Sequence, residues 1–397
     1  MGAVAAAGGA NAQSLLDSVI NSPQRGWDDQ FDAARSGAIT SLTPTMSPQT
    51  VSATQLGIAQ YQQIASNGGW PTVPGNAKLQ IGQSSDAVMT LRRRLMISGD
   101  LAPSAGMSSS YDSYVDAAVR RFQARHGLPV DGVMGEYTYK AMNVEANVRL
   151  GQLQTNLVRL NSIALNPPPQ FVMVNIPAAQ LEAVDNGQVV QRHTAVVGRI
   201  SRPTPQLSSK INEVILNPYW TAPRSIIQKD IMPVMRKDPQ YLTRNHIRLF
   251  DAKGNEVSPD SIDWSAPEAP NLTFRQDPGK INAMASMKIN FPNPYSVYMH
   301  DTPEQSLFGQ IERFDSSGCV RVQNVRDLGV WLLRNNPEWG RQHIEQVIST
   351  RENTIIKLQQ PVPVFFVYVS AWSTADGAVQ FRDDIYHLDG SSELALR

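Results

Sequence analysis

Cysteine is almost absent from this chain of 397 residues, in which Cys319 is the single example. One cysteine excludes an intramolecular disulfide framework and a cysteine-rich zinc site. The six histidines show no HExxH motif and no other short His–His spacing, so no metal site is predicted, and no cofactor is expected. The sequence also lacks an apolar run long enough to cross a bilayer, so no transmembrane segment is expected.

Net charge is lacking as well, because 35 basic and 35 acidic residues cancel. Nucleic-acid binders and polybasic membrane binders need a positive surface field, so both kinds of partner are disfavoured. Charged residues make up only 18% of the chain, whereas glycine and proline number 26 and 27. This composition favours loops and strands over a helical bundle, and the length allows two or three domains.

The N-terminal part of the chain divides into two weakly patterned segments. Residues 1–12 are small and apolar, and ANA before Gln13 has the form of a signal-peptidase site, but the charged and leucine-rich stretches of a signal peptide are missing. A remnant of an export signal and an unrelated flexible leader therefore both remain open. Residues 13–76 are rich in Gln, Ser, Pro and Thr, and they predict a scaffold segment with one or two helices.

Helical periodicity becomes clear after residue 76. Three short amphipathic patterns within 77–143 predict a compact three-helix domain, with Ser85 or Asp86 as the N-cap of the first helix and Gly127 as a C-cap of the second. Residues 144–168 predict a scaffold helix that ends at a proline hinge, because proline cannot donate the helical hydrogen bond.

Strand patterns dominate from residue 169 onward. Short segments rich in Val, Ile and aromatic residues are bounded by Gly, Pro or Asn, as in FVMVNI, NEVILNPYW, YSVYMHD and GCVRV. We expect a mostly-β domain over 169–355, a lid-like insertion within it at about 221–290, and a C-terminal β segment over 356–397 that completes the scaffold. The predicted fold class is an α+β multidomain protein.

Cys319 lies in the string FDSSGCVRV, whose small residues suit an exposed nucleophile. A reactive thiol needs a base, backbone N–H groups for an oxyanion, and a turn that presents the sulfur. Gly318 permits an unusual backbone conformation, and His300 ends a strand pattern nineteen positions upstream. A lone cysteine in a strand is more often a small buried hydrophobe, so the surrounding motif has to decide between the two interpretations.

The strings YMHDTP at 298–303 and SSGCVRV at 316–322 resemble the two halves of the catalytic motif of YkuD-type L,D-transpeptidases. Ser317 stands where many members have histidine, as in the long Gram-negative branch of YcbB type. The segment LQIGQSSDAVMTLRRRL and the following AVRRFQARHGLPVDGVMGEYTYKAMN are similar to a three-helix peptidoglycan-binding domain, which the resemblance places at 77–143. The mostly-β domain over 169–355 is accordingly expected to be the catalytic domain.

The resemblance implies a cysteine acyltransferase that acts on peptidoglycan stem peptides. Cys319 would attack the carbonyl of meso-diaminopimelate in a tetrapeptide donor and release the terminal D-Ala, with His300 as general base and acid. Gly318 would shape the turn and the oxyanion hole. A second diaminopimelate amine would then resolve the acyl-enzyme into a 3→3 cross-link. The family further implies a periplasmic enzyme without a cofactor, which we expect to be monomeric and to be acylated by carbapenems.

Four residues are predicted to contact substrate: Tyr298, Ser317, Arg321 and Trp220. Arg321 either holds a stem-peptide carboxylate or pairs with a local acid, and Trp220 either lines the cleft or packs in a core. Tyr298 shares a strand face with His300.

Other charged and polar residues near these motifs have structural interpretations. Asp301 is expected to cap a loop rather than orient His300. Elsewhere, Arg92, Arg93 and Arg94 are expected on a solvated helix face, and His126 is expected to cap a helix.

Three functional alternatives stay open at this point. The acyl acceptor could be a lysine of an outer-membrane protein, which would attach that protein to diaminopimelate, and the reverse reaction would release it. Water as the acceptor would make the protein an L,D-carboxypeptidase. A non-catalytic wall-binding protein is the alternative from a different functional class.

Overall fold

The computed structural model describes residues 41–75 and 78–395. The expected export remnant at 1–12 and the first part of the scaffold segment lie outside the described residues. Within the described part, no helix is both long enough and apolar enough to span a membrane.

Within residues 41–75 and 78–169, five α-helices precede the first strand of the main sheet. Ser47 caps the first of them, because its hydroxyl accepts a hydrogen bond from the Thr50 amide and Pro48 needs no N–H partner at the helix start. Helices α2 to α4 pack around a shared apolar core that includes Leu91, Val115 and Phe122. The five helices are α1 (Pro48–Ser66), α2 (Asp86–Ile97), α3 (Ser113–Arg125), α4 (Glu136–Asn143) and α5 (Ala146–Ile163).

The expected solvated face at Arg92–Arg94 is wrong for two of its three residues, because Arg92 and Arg94 are fully buried and only Arg93 is exposed. Arg92 donates hydrogen bonds to the carbonyls of Ala105 and Gly106, both at 3.1 Å. Arg94 lies 3.6 Å from the ring centroid of Trp70 and donates to the Met142 carbonyl. These partners come from loops and from another helix, so the periodicity of α2 alone could not reveal them.

His126 ends α3, as expected from the sequence, but not as a cation. Its Nδ1 lies 2.7 Å from the Phe122 carbonyl, and its ring stacks on Phe122 at 3.8 Å. Burial, with further contributions from Arg125 and Arg149, holds the pKa of His126 well below its usual value. The helix end is therefore capped by a neutral imidazole.

A single nine-stranded sheet forms the centre of the C-terminal half. Its order is β11-β3-β12-β10-β9-β4-β13-β1-β2, and β2 also pairs with β3, so the sheet curls back on itself. The apolar residues of one face, such as Met299 and Val320, form the main core with the two helices α9 and α10. The strands are β1 (Gln170–Asn175), β2 (Gln180–Asp185), β3 (Gln188–Gly198), β4 (Leu207–Leu216), β9 (Met287–Asn290), β10 (Met299–His300), β11 (Phe314–Ser316), β12 (Val320–Val322) and β13 (Thr354–Val367). The helices are α9 (Val325–Leu332) and α10 (Arg341–Thr350).

The expected boundary between residues 355 and 356 falls inside β13, which lies between β4 and β1 in the sheet. An irregularity between Lys357 and Val362 interrupts its pairing with β4, and Pro361, which has no N–H to donate, lies within this unpaired stretch. After β13, the hairpin of β14 (Ala371–Ser373) and β15 (Val379–Phe381) turns back onto the N-terminal helices. The Ser373 amide donates to the Thr54 hydroxyl of α1 at 3.0 Å.

The expected insertion at about 221–290 is a small subdomain with its own sheet and its own apolar core. Its last four residues, 287–290, belong instead to β9 of the main sheet, between β4 and β10. The subdomain contains β5 (Trp220–Thr221), β6 (Ile247–Phe250), β7 (Glu256–Val257) and β8 (Thr273–Gln276). Its short helices are α6 (Arg224–Ile226), α7 (Met232–Met235) and α8 (Tyr241–Arg244), with a π-helical turn between the first two. The predicted fold class, an α+β multidomain protein with a mostly-β domain, is confirmed.

Candidate active site

Parallel pairing of β10 with β12 brings the two sequence motifs together. In the register Met299 lies opposite Val320, and His300 lies opposite Arg321. Met299 and Val320 are fully buried in the main core. Since side chains alternate along a strand, His300 and Arg321 project from the other face, as do the preceding residues Tyr298 and Cys319.

A tight turn positions the thiol at the start of β12. Gly318 has a φ of +112°, which residues with a side chain rarely adopt. The Ser316 hydroxyl accepts a hydrogen bond from the Gly318 amide at 3.1 Å and donates to the Cys319 carbonyl at 2.5 Å. The Thr204 hydroxyl donates to the Gly318 carbonyl at 2.9 Å and so fixes the turn from the β3–β4 connection.

The same turn determines which backbone amide is available to an oxyanion. The Gly318 amide is engaged by Ser316, so Gly318 shapes the turn but does not offer its own N–H. Within residues 41–75 and 78–395, none of the hydrogen bonds is donated by the Cys319 amide. The Cys319 N–H is therefore the donor best placed to stabilise negative charge that develops beside the sulfur.

His300 is buried and its tautomer follows from its hydrogen bond. Nδ1 lies 2.5 Å from the backbone carbonyl of Asp301. A carbonyl can only accept, so Nδ1 carries the proton and Nε2 keeps a free electron pair. Burial lowers the pKa of His300 to about 3, and the nearby cations Arg321 and Lys288 add to this effect, while the Asp301 hydrogen bond opposes it. At neutral pH the imidazole is an uncharged base.

The side chain of Asp301 does not contact His300. Its carboxylate accepts hydrogen bonds from the Ser286 hydroxyl at 2.5 Å and from the Thr302 amide at 2.8 Å. These contacts match the loop-capping role that the sequence indicated. The main-chain carbonyl of Asp301 orients His300. Every residue type has such a carbonyl, so the sequence could not reveal this contact.

Cys319 is partly exposed, and its thiol hydrogen-bonds to Tyr298, through both the backbone amide and the phenol of that residue. Burial raises the pKa of the Cys319 thiol, while the Tyr298 hydrogen bonds and the cations Lys288 and Arg321 oppose this rise. The ring of Tyr298 lies 5.5 Å from the ring of His300 between centroids. In this structure the cysteine and the histidine are thus both neutral, and Tyr298 lies in contact with each.

Trp220 and Tyr298 connect the insertion to the thiol. The indole of Trp220 can only donate, and it hydrogen-bonds to the Tyr298 hydroxyl, which therefore donates onward to Cys319. Burial raises the pKa of the Tyr298 phenol, so the hydroxyl stays protonated. Trp220 also packs against the apolar core of the insertion, so it combines the cleft and core positions that the sequence left open.

Arg321 and Ser317 each have a protein partner. Arg321 forms an ion pair with Glu304 at 2.8 Å, which is the local-acid alternative, and its side chain remains 20% exposed. The exposed Ser317 accepts a hydrogen bond from Arg202 at 2.9 Å. Arg202 is also paired with Asp230 of the insertion at 2.6 Å, so it ties the insertion to the turn that precedes the cysteine.

Lys288 is a residue of this face that the sequence reasoning missed. Its position in β9 lies directly opposite His300, and its Nζ lies 4.1 Å from the ring centroid of Tyr298. The string MKIN alternates as a strand should, but only the strand register shows which face Lys288 shares. Among the described residues, no group of three or more His, Cys, Asp or Glu side chains could hold a metal ion.

Comparison with known proteins agrees with these motifs. Residues 169–346 match the model of the L,D-transpeptidase catalytic domain called YkuD, and residues 84–142 match that of a "Putative peptidoglycan binding domain". A curated protein of Haemophilus influenzae named "Putative L,D-transpeptidase" is 34% identical over 245 residues, which are 61% of this chain and 50% of that protein. The chain thus spans about half the length of that relative.

Two solved structures are weakly similar. An L,D-transpeptidase (residues 123–326) from Xylanimonas cellulosilytica is 17% identical with a TM-score of 0.24, and the match covers 74% of this chain and 99% of that one. The LD transpeptidase LdtMt1 in complex with imipenem is 14% identical with a TM-score of 0.23, over 51% of this chain and 60% of that one.

The sequence matches identify two domains within the chain. Residues 169–346 belong to the YkuD family of L,D-transpeptidase catalytic domains, and residues 84–142 belong to the family of peptidoglycan-binding domains. The recognition made from the two motifs is confirmed.

Proposed function

We propose that the protein is a cysteine L,D-transpeptidase that forms 3→3 cross-links between meso-diaminopimelate residues of peptidoglycan. The observation that supports this most strongly is the common sheet face of Cys319 and His300, produced by the pairing of β10 with β12. A thiol, a neutral imidazole and an unengaged backbone amide are the groups that acyl transfer through a thioester requires.

The first half-reaction consumes the tetrapeptide donor. Cys319 gives its proton to Nε2 of His300, and the sulfur attacks the carbonyl of the third stem residue. The Cys319 amide stabilises the oxyanion, and the Tyr298 hydroxyl, which donates to the sulfur, stabilises the thiolate before attack. The C–N bond then breaks, His300 returns its proton to the departing amine, and D-Ala leaves a thioester on Cys319.

The second half-reaction selects the acceptor. The side-chain amine of another diaminopimelate gives a proton to His300 and attacks the thioester, and the C–S bond breaks as the new amide forms. Attack by a lysine of an outer-membrane protein would use the same steps, and attack by water would make the enzyme an L,D-carboxypeptidase. The insertion borders this face through Trp220 and Arg202, so we assign the choice of acceptor to it.

The domain composition bears on where this reaction takes place. A peptidoglycan-binding domain next to an L,D-transpeptidase domain belongs to an extracytoplasmic enzyme. We propose the periplasm as its location and a monomer as its working form.

The proposal is tested by incubating the protein with disaccharide-tetrapeptide and analysing the products by mass spectrometry. We expect dimers that have lost one D-Ala, and no such dimers with Cys319→Ala. Tripeptide as the only product would show a carboxypeptidase instead. An unchanged substrate with the wild-type protein would contradict an enzymatic role on this donor.

A further inference from the structure

Lys288 lies on the same sheet face as His300 and Cys319, and the proposed reaction steps give it no role. It is half-buried in β9, opposite His300 in the antiparallel pair of β9 and β10. Its ammonium lies over the ring of Tyr298, 4.1 Å from the centroid, which is the geometry of a cation–π contact. The hydroxyl of the same tyrosine bonds to the sulfur of Cys319.

The ammonium of Lys288 has no direct anionic partner among the described residues. There its side chain forms neither an ion pair nor a hydrogen bond. The carboxylate of Glu213 on β4 acts on it only over a longer distance and accepts a hydrogen bond from Asn290 at 3.2 Å. The other cation of this face, Arg321, is by contrast paired with Glu304.

An unpaired ammonium in a partly desolvated position is unfavourable unless a negative charge appears beside it. Burial lowers the pKa of Lys288, whereas its interactions with Cys319 and Glu213 raise it. Among these groups, Cys319 is the one that acquires its charge during the reaction. The site is thus arranged for an anion that is absent in the resting protein.

We propose that Lys288 is a positioning residue that stabilises the thiolate of Cys319, acting through the Tyr298 ring beneath its ammonium. A cation over the face of a phenol draws electron density from it, so the hydroxyl becomes a stronger hydrogen-bond donor to the sulfur. This inference rests on the proposed nucleophilic role of Cys319 and adds a residue to it.

The charged and titratable groups around the sulfur, together with their charged partners, form four sets. They are Tyr298 and His300 on β10, Arg321 with its partner Glu304, Lys288 with Glu213 behind it, and the Arg202–Asp230 pair beyond Ser317. A positive charge at Lys288 favours the thiolate and disfavours the imidazolium. The proton that His300 receives is therefore held weakly and is readily passed to the leaving amine.

The test measures how fast iodoacetamide alkylates the free enzyme as a function of pH. The thiolate sulfur forms a bond to the carbon of iodoacetamide, and the carbon–iodine bond breaks with release of iodide. Because Cys319 is the single cysteine, the alkylation rate reports on this sulfur alone. We expect Lys288→Met to move the alkylation profile to higher pH by about one unit, which lowers the rate at pH 7 roughly tenfold.

Three further variants sharpen the test. Lys288→Arg retains the charge and should restore a rate within about twofold of wild type. Glu213→Gln removes the opposing charge and should move the profile to lower pH. Lys280→Met removes an exposed lysine of the insertion and should leave the profile unchanged.

Two results would overturn the proposal. An unchanged alkylation profile in Lys288→Met, together with a raised KM for the tetrapeptide, would show that Lys288 binds a substrate carboxylate instead. A shifted profile that Lys288→Arg does not restore, with a lowered melting temperature, would show a structural role. The alkylation profile and the melting temperature need no transpeptidation, so failure of the cross-linking assay remains distinguishable from failure of this inference.

Discussion

At the scale of single residues, the proposed nucleophile and the proposed base are both neutral in the resting protein. His300 is held as the Nδ1–H tautomer by a main-chain carbonyl, and Cys319 is held as a thiol by burial. Because His300 and Cys319 are both neutral, the resting protein contains no buried charge at either residue, which would be unfavourable. The charges appear only when the proton moves, in a site already lined by donors and cations.

The neutral state of His300 predicts a pH dependence of stability. The folded pKa of about 3 lies below the value near 6.5 that is usual in an unfolded chain, so the unfolded state binds the proton first as the pH falls. The stabilisation by neutral His300 is complete above pH 6.5 and is lost progressively down to pH 3. At pH 4 the loss relative to pH 7 amounts to about 3 kcal/mol.

His300→Gln keeps an amide donor for the Asp301 carbonyl but cannot titrate. We therefore expect the free energy of unfolding of wild type, measured in urea at pH 7 and pH 4, to fall more than that of the variant. The lowered pKa values of His126 and His193 act equally in both proteins and cancel in the comparison. Equal pH dependence in the two proteins would show that His300 is not held neutral.

The thiol also predicts the response to β-lactams. Attack by Cys319 on a carbapenem forms a carbon–sulfur bond and breaks the strained ring amide, so the protein should gain the mass of one inhibitor molecule. Intact-mass spectrometry checks this, with Cys319→Ala as the control that gains none. His300→Gln should be acylated more slowly, because it cannot accept the thiol proton. An unmodified wild-type mass after exposure would contradict a reactive Cys319.

At the scale of elements, the motif residues were predictable and their surroundings were not. The two strings of six and seven residues pointed to Cys319 and His300 as candidates, and the strand pairing places these two residues on one sheet face. Lys288 and the Asp301 carbonyl were missed because they act through strand register and main-chain geometry. Arg92 was misplaced for the same reason, since it binds main-chain carbonyls of the segment that follows its own helix.

The β3–β4 connection is the element that holds the catalytic turn. The buried Thr204 hydroxyl accepts from the Gly198 amide at 2.8 Å and donates to the Gly318 carbonyl at 2.9 Å. Thr204→Val keeps the shape but leaves both groups without that partner, which should cost about 2–3 kcal/mol of stability. We expect kcat to fall more than KM rises, because the turn carries the nucleophile.

Urea unfolding and steady-state kinetics measure these two effects, and Thr243→Val supplies a matched control. Thr243 is exposed on α8, and its side chain makes no hydrogen bond among those of the described residues. The same change of side chain there should alter neither stability nor kcat. Wild-type kinetics in Thr204→Val would show that the turn needs no support from this connection.

At the scale of the whole molecule, the three-helix domain is built into the rest of the chain rather than tethered to it. Arg125 of α3 is buried and pairs with Asp100 at 2.6 Å. The same guanidinium donates to the Val379 carbonyl of β15 at 3.3 Å and to the Tyr61 hydroxyl of α1 at 3.4 Å. One buried cation thereby joins the small domain, helix α1 and the C-terminal hairpin.

Removing the carboxylate partner of Arg125 should therefore disturb more than the small domain. Asp100→Asn leaves a buried guanidinium without its counter-charge, which typically costs about 3–5 kcal/mol. Because Arg125 also contacts β15, and the chain runs directly from β13 of the main sheet into that hairpin, we expect one cooperative unfolding transition at lower temperature. Calorimetry records the number of unfolding transitions. The rate of carbapenem acylation, measured after heating to temperatures within the transition, shows whether the catalytic domain unfolds together with the three-helix domain.

Asp238→Asn is the matched control for that experiment, because Asp238 pairs with Arg244 on the exposed surface of the insertion. Exposed ion pairs contribute little, so this variant should melt close to wild type. If Asp100→Asn instead shows two separate transitions, with the acylation activity lost only in the second, the three-helix domain unfolds independently. The buried contacts of Arg125 would then position the domain without stabilising the catalytic one.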